Sequence, residues 1–319
     1  MFAYTVRRIL TTIPLLIVGT FIIYTLTATV SNPLARLATC NTCDQAAFDR
    51  IIDLYDLDQP VPVRYANWMI GAATGDMGEA PSQGNAEVFP LIMERFGNTV
   101  RLAIPAFVII AISAVALGVY SAVKQYSKLD YFVTGFSFFG ISMPTFVFAL
   151  LLQLVFAIQW QNWFEMKPFY SSGMHTGSLA EILSSHTLPI VTLLLVITAG
   201  ESRFMRASML EVINSDYIRT ARAKGLPRRR VILKHGLRNA MIPLVTIWAL
   251  DFAALLGGSV VTETIFSWPG LGPLLITGIF GGDLNLTMGI VILVSLLVIV
   301  FNLIADLLYG VLDPRIRYE

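Results

Sequence analysis

The chain has 319 residues and a formal net charge of +1; it is 55% hydrophobic and only 13% charged, with a mean hydropathy of +0.69. A soluble domain carries nearer ~25% charged residues, so the composition excludes an ordinary water-soluble enzyme and places the chain in a lipid bilayer. The near-neutral balance supports no nucleic-acid partner, and the placement of the charges along the chain says more than their sum.

The N-terminus carries Arg7-Arg8 and then about 22 apolar residues. A cleaved signal has an apolar core of ~7–15 residues, so this stretch is read as a first membrane helix, Ile9–Val30, with its N-terminus in the cytoplasm. Residues 31–98 form a large outer loop. Within it, Phe48, Ile51, Ile52 and Tyr55 recur at helical spacing. Pro60-Val61-Pro62 breaks that helix, Val63–Met69 fits another short one, and the chain turns polar around Gly71–Asn85. Cys40 and Cys43 fit a redox pair or half of a metal site. No second cysteine pair accompanies them, so a local disulfide or two thiols in an outer loop is the better reading.

Five more spans follow at the ~20-residue length that crosses hydrocarbon: Val100–Val123, Phe132–Ile158, about Leu188–Ser208, about Ile242–Thr262 and about Thr287–Tyr309. Pro105, Pro144 and Pro189 fall in or near them, where neighbouring helices can satisfy the freed backbone groups. Between the third and fourth spans, Trp160, Trp163, Phe164, Phe169 and Tyr170 fit an interfacial aromatic belt. The fold class expected is all-α, a polytopic membrane protein with a single transmembrane domain over 1–319.

Charge gives the orientation. Arg7, Arg8, Lys124, Lys128, Arg206, Arg219, Arg222, Lys224, Arg228, Arg229, Arg230, Lys234, Arg238, Arg315 and Arg317 fall in segments on one side. Asp44, Asp49, Asp53, Asp56, Asp58, Asp76, Glu79, Glu87 and Glu94 fall on the other. Basic residues mark the cytoplasm, so both termini are expected there, as is the 206–240 loop.

No phosphate-binding loop, zinc-protease motif or nucleophile elbow occurs, so ATP hydrolysis by this chain and the common hydrolase chemistries are not expected. His175, His186 and His235 are too scattered to suggest a metal cluster.

The 206–240 loop runs about 35 residues, where helix–helix connections usually take roughly 2–8. Asp216 can cap a helix from Tyr217, Ala221 and Ala223 favour its continuation, and Gly225 with Pro227 stops it; a second helix starts near Arg228. The small residues Thr220, Ala221 and Ala223 allow close approach by another protein, with Arg219, Arg222 and Lys224 fixing its orientation. A patch for anionic lipid headgroups is the alternative.

The stretch Asp216, Tyr217, Ile218, Arg219, Thr220, Ala221, Arg222, Ala223, Lys224, Gly225, Leu226 resembles the cytoplasmic loop of bacterial peptide-importer permeases, the oligopeptide/dipeptide branch of the ATP-binding-cassette (ABC) family. Leu57-Asp58-Gln59-Pro60-Val61-Pro62-Val63-Arg64-Tyr65 and Gly75-Asp76-Met77-Gly78 resemble the first outer loop of the B-type subunit. Glu94-Arg95-Phe96-Gly97-Asn98-Thr99 and the Glu263–Gly272 segment, with Trp268-Pro269-Gly270 at its centre, match further pieces in order. Asp313-Pro314-Arg315-Ile316-Arg317 matches the C-terminal end. The family's loop signature places Glu-Ala-Ala six residues before a glycine. Counted from Gly225, those positions are Arg219, Thr220 and Ala221, a departure that peptide permeases share.

The resemblance implies a type I importer permease whose helix at 217–226 couples to separate ATPases. It implies as partners a homologous C-type permease, two ATP-binding subunits that hold ATP and Mg, an extracytoplasmic substrate-binding protein and membrane lipid. No cofactor is implied in this chain, and the location implied is the bacterial inner membrane. Peptide is the cargo implied first, with nickel or another small solute as the alternative; a stand-alone channel or secondary transporter is the rival from another class. Asp251 lies in the middle of the fifth span. With Gly257, Gly258 and Glu263 it is a candidate for the translocation pathway, while a helix–helix contact explains Asp251 equally well and is the better reading of the glycines. Glu201 and Arg203 are expected near the inner boundary.

Overall fold

A computed structural model describes residues 2–30, 34 and 45–312; Cys40, Cys43 and the 313–317 motif lie outside the described residues. The helices in chain order are α1 (Phe2–Val30), α2 (Gln45–Leu54), α3 (Val61–Thr74), α4 (Val88–Val123), α5 (Lys128–Ser142), α6 (Thr145–Phe164) and α7 (Leu179–Ile213). They continue as α8 (Asp216–Ala223), α9 (228–240), α10 (Ile242–Leu256), α11 (Val260–Ile265), α12 (Leu271–Phe280) and α13 (Leu284–Leu312). A small antiparallel hairpin, β1 (Glu79–Ala80) with β2 (Ala86–Glu87), precedes α4. Among the described residues, six helical stretches are long and apolar enough to cross a membrane: within α1, α4, α6, α7, the α10–α11 run and α13.

The third span departs from the expected Phe132–Ile158. Pro144 has no N–H to continue the helix, and the residue before a proline is pushed out of the helical region. Met143 takes φ −100°, ψ 127°, and the helix divides there into α5 and α6. The second span begins earlier than expected: α4 starts at Val88, so Glu94, Arg95 and Asn98 are helical rather than in a loop. The fourth runs on to Ile213, so Arg206 is a helical residue, with Leu210, Val212 and Ile213 of the same turns packed into a buried cluster. After Trp268 the chain forms the short apolar helix α12.

Two compact units make up the chain. The first takes residues 1–100, 256–260 and 269–299. In it α2 and α3 pack on α1 and α13 through Tyr24, Tyr55, Tyr65, Leu284 and Met288. The Tyr65 hydroxyl donates to the Ile17 carbonyl at 3.0 Å and shares a hydrogen bond with Thr20 at 2.8 Å. The hairpin and the start of α4 close over α12 and α13 through Ala80, Val88, Ile92, Leu271 and Leu286. Asp283 ties this region together. Its carboxylate accepts from the Ser82 N–H and hydroxyl at 3.0 and 2.8 Å, from the Tyr55 hydroxyl at 3.3 Å and from the Leu286 N–H at 3.1 Å.

The second unit takes residues 101–255, 261–268 and 300–319. Here α5 lies tightly against α7: a Cβ added at Gly140 would sit 2.6 Å from the Ala199 Cβ and 2.9 Å from the Leu195 carbonyl oxygen. Small residues at such crossings are what let membrane helices approach. α4, α7, α9 and α10 share a core of Ala122, Met205, Met209, Ala240 and Leu244.

Candidate functional site

The basic island folds as a short helix whose two faces differ. α8 is eight residues long, and Ser215 rather than Asp216 precedes it as N-cap. The Ser215 hydroxyl donates back to the Val212 carbonyl at 2.6 Å and does not cap. Asp216 is the first helical residue, so the expected Asp216 cap is corrected. Its carboxylate still sits favourably at the positive end of the helix dipole and accepts from the Arg219 guanidinium at 3.3 Å. At the far end the Gly225 N–H donates to the Arg222 carbonyl at 2.9 Å and the Leu226 N–H to the Ala221 carbonyl at 3.4 Å. Gly225 takes φ +76°, the left-handed turn that glycine makes without steric cost.

Ile218 (1% exposed) and Ala221 (8%) point inward, against Val231 of α9 and the partly buried Val212 and Leu226. Tyr217, Arg219, Thr220, Arg222, Ala223 and Lys224 face outward. A second tie fixes the orientation: the Asn239 amide of α9 donates to the Tyr217 hydroxyl at 2.9 Å. The Ser208 hydroxyl of α7 donates to the Ala240 carbonyl at 2.7 Å. The helix is thus held on α7 and α9 by its apolar face and offers a cationic face to whatever lies below. Of the eleven residues singled out in sequence, Ile218, Ala221 and Leu226 support the helix, and the others compose its outer surface and turn.

Sequence reasoning missed a buried cluster in the same unit. Asp130 at the start of α5 is buried, and Arg206 reaches it from α7 with Nε–Oδ1 at 3.0 Å and Nη2–Oδ2 at 3.2 Å. The Ser121 hydroxyl also donates to Asp130, as does the Tyr126 N–H at 2.9 Å. The Arg206 guanidinium is the main reason the Asp130 carboxyl is held down to about 2; Ser121 and Tyr126 add to this and burial opposes it. Ser127 accepts from the Asp130 N–H at 3.2 Å, so the Ser127-x-x-Asp130 spacing of a capping box was the available signal.

The candidate pathway residues sit in distinct settings. Asp251 is half-buried on α10, beside Glu201 of α7. Glu201 is 2% exposed and accepts from the Trp248 indole N–H at 3.0 Å. Arg203 does reach outward, its guanidinium 4.5 Å from the Phe138 ring centroid. Gly257 and Gly258 interrupt the run between α10 and α11. Gly258 takes φ +98°, and a Cβ there would lie 2.9 Å from the Gly272 nitrogen. Glu263 is fully buried, its carbonyl accepting from the Trp268 N–H at 2.7 Å. His175 and His186 line one largely apolar cavity of about 700 Å³ with Arg101, and the Tyr170 ring stacks on His175 at 3.6 Å. Among the described residues no group of three or more His, Cys, Asp or Glu could hold a metal ion.

Residues 114–318 match the family described as binding-protein-dependent transport system inner membrane component. Residues 1–103 match the N-terminal segment of the same kind of component. The oligopeptide transport system permease protein AppB of Bacillus subtilis is 37% identical over 322 residues, covering 100% of both chains. The corresponding OppB of Salmonella typhimurium is 38% identical over 264 residues, covering 83% of each. Among solved structures, the MetNI methionine ABC transporter in inward-facing conformations aligns with a TM-score of 0.56 at 17% identity. That alignment covers 70% of this chain and 96% of the other, and so shares the type I importer permease fold. Six spans among the described residues, a supported basic helix between the fourth and fifth, and the full-length match to AppB agree: the chain belongs to the family of inner membrane components of binding-protein-dependent transport systems.

Proposed function

We propose that this chain is the B-type permease subunit of an ATP-driven peptide importer and that α8 is its coupling helix. The observation that carries the reading is the two-faced build of α8. Ile218 and Ala221 anchor it, while Tyr217, Arg219, Thr220, Arg222, Ala223 and Lys224 remain available to a partner. A short helix locked at both ends transmits displacement as a rigid lever; an unstructured loop would absorb it. Two ATP-binding subunits would hold ATP and Mg and grip that lever, since the sequence has no phosphate-binding loop of its own. A homologous C-type permease would supply the other half of the pathway, and an extracytoplasmic binding protein would deliver cargo to the outer loop. The relatives named for oligopeptide transport support peptide over nickel as that cargo.

The run of basic residues on α8 and α9 supports a cytoplasmic location for both termini and for α8. Along the pathway we assign Asp251, Gly257, Gly258 and Glu263 to the segment that changes conformation as the pore opens, with the glycine break between α10 and α11 as its pivot.

The test replaces Arg219, Arg222 and Lys224 together by Glu. Co-purification of the ATPase subunits and uptake of labelled peptide should both fall by about tenfold or more, as reversed charges across an interface cost several kcal/mol. Normal uptake in that variant rejects the docking role. Uptake by the single chain in vesicles with no ATPase present rejects the importer reading altogether.

A further inference from the structure

A second basic cluster lies beside α8 but not on its outward face. α4 and α9 enclose a groove of about 600 Å³ whose walls are almost wholly apolar, including Val119, Ile232, Leu233 and Leu237. Lys124, Arg228 and Arg229 also line it, and among the described residues none of the three has a carboxylate within ion-pair distance. Lys124 rests over the Tyr120 ring at 5.0 Å, a contact that leaves its charge uncompensated.

We infer that this groove binds one anionic diacyl phospholipid of the inner leaflet, its phosphate held by Lys124, Arg228 and Arg229 and an acyl chain lying between α4 and α9. The chemistry selects this occupant. A soluble anion could pair with the three cations but would leave the apolar walls uncovered, and an unpaired trio of cations is poorly matched to a purely apolar protein helix. A molecule with an acidic head and a hydrocarbon tail satisfies both. α9 itself has the composition of an interfacial helix, with Arg228, Arg229, Arg230, Lys234 and Arg238 interleaved with Val231, Ile232, Leu233 and Leu237; such helices lie at membrane surfaces and favour acidic lipid. The two basic clusters therefore divide the work: α8 offers its charge to protein, and the α4–α9 groove offers its charge to lipid. Because Asn239 of α9 holds Tyr217 of α8, a lipid seated here also braces the base of the helix proposed to couple.

The test uses the importer assembled with its partner subunits and reconstituted in discs of phosphatidylcholine mixed with phosphatidylglycerol. Lipid retained after mild detergent washing is counted per chain by mass spectrometry. Wild type should retain phosphatidylglycerol over phosphatidylcholine. The variant with Lys124, Arg228 and Arg229 all changed to Gln should lose that retention by roughly 10- to 100-fold, at the attraction expected per surface cation. Ala116→Trp, which fills the groove and keeps every cation, should lose it as well and carries the test if the triple variant does not assemble. The variant of Arg219, Arg222 and Lys224 to Glu should keep the lipid while losing the ATPase, which separates this inference from the coupling reading. Equal retention in the groove variants overturns the proposal. So does equal retention of the two lipids by wild type, and so does efficient crosslinking of a cysteine at Leu233 to the companion permease.

Discussion

At the scale of single residues, the Asp130–Arg206 pair ties α5 to α7. Burying a carboxylate is costly unless it is paired and fully hydrogen-bonded, and Asp130 has Arg206, Ser121 and the Tyr126 N–H as partners. Arg206→Met leaves the charge buried with only two weaker donors. It should cost about 2–3 kcal/mol, below the usual figure for a buried pair because Arg206 is itself 30% exposed. Thermal unfolding in detergent measures this, and an unchanged midpoint would show that water replaces the guanidinium. The acid dependence has a defined sign. The folded carboxyl sits near 2 against an ordinary 3.8, so its contribution is complete above pH ~4 and is lost as pH falls toward ~2. The stability gap between wild type and Asp130→Asn should therefore narrow on acidification from pH 5 to pH 3; a gap that stays constant removes Asp130 as its source.

At the scale of elements, α8 shows why outward charges alone do not make a docking helix. Ile218→Ala touches no outward residue, but it empties a fully buried site against Val231 and Val212. Loss of that side chain should cost about 2–4 kcal/mol locally, enough to raise the opened fraction of α8 well over tenfold. Faster amide exchange over 216–226 and weaker ATPase co-purification should appear together. If exchange rises while the ATPase stays bound, the helix docks by induced folding instead. Much of this element was legible beforehand: the basic run, the Gly225 stop and the restart at Arg228 each have a local cause. So were the spans, whose apolar length is a property of the segment itself. The division of the third span was written in Pro144 but hidden by apolar residues on both sides, which keep hydropathy high whether or not the helix breaks. Asp130 with Arg206, and Glu201 with Trp248, were not legible. Each joins residues far apart in the chain, and only the packing of α4, α5, α7 and α10 decides which charge meets which.

At the scale of the whole molecule, α2, α3 and the hairpin belong to the first unit, and α8 with its supports belongs to the second. This gives the first unit an independent test. Asp283 gathers Ser82, Tyr55 and Leu286 around one carboxylate, and Asn285 adds a bond from its amide to the Glu79 carbonyl at 3.2 Å. Asp283→Ala removes the acceptor and leaves the Ser82 N–H and the Tyr55 hydroxyl without it, a loss of about 1–3 kcal/mol for each buried group left unsatisfied. Amide exchange over 45–87 should rise, and uptake driven by the binding protein should fall several-fold. Co-purification of the ATPase subunits should stay at the wild-type level, because none of the residues that anchor α8 contacts Asp283 through a hydrogen bond. Loss of the ATPase together with uptake would mean that the outer segments stabilise the chain globally. Full uptake with a loosened outer segment would mean that delivery of cargo does not use α2, α3 or the hairpin, and the acidic outer loop would then need a different partner.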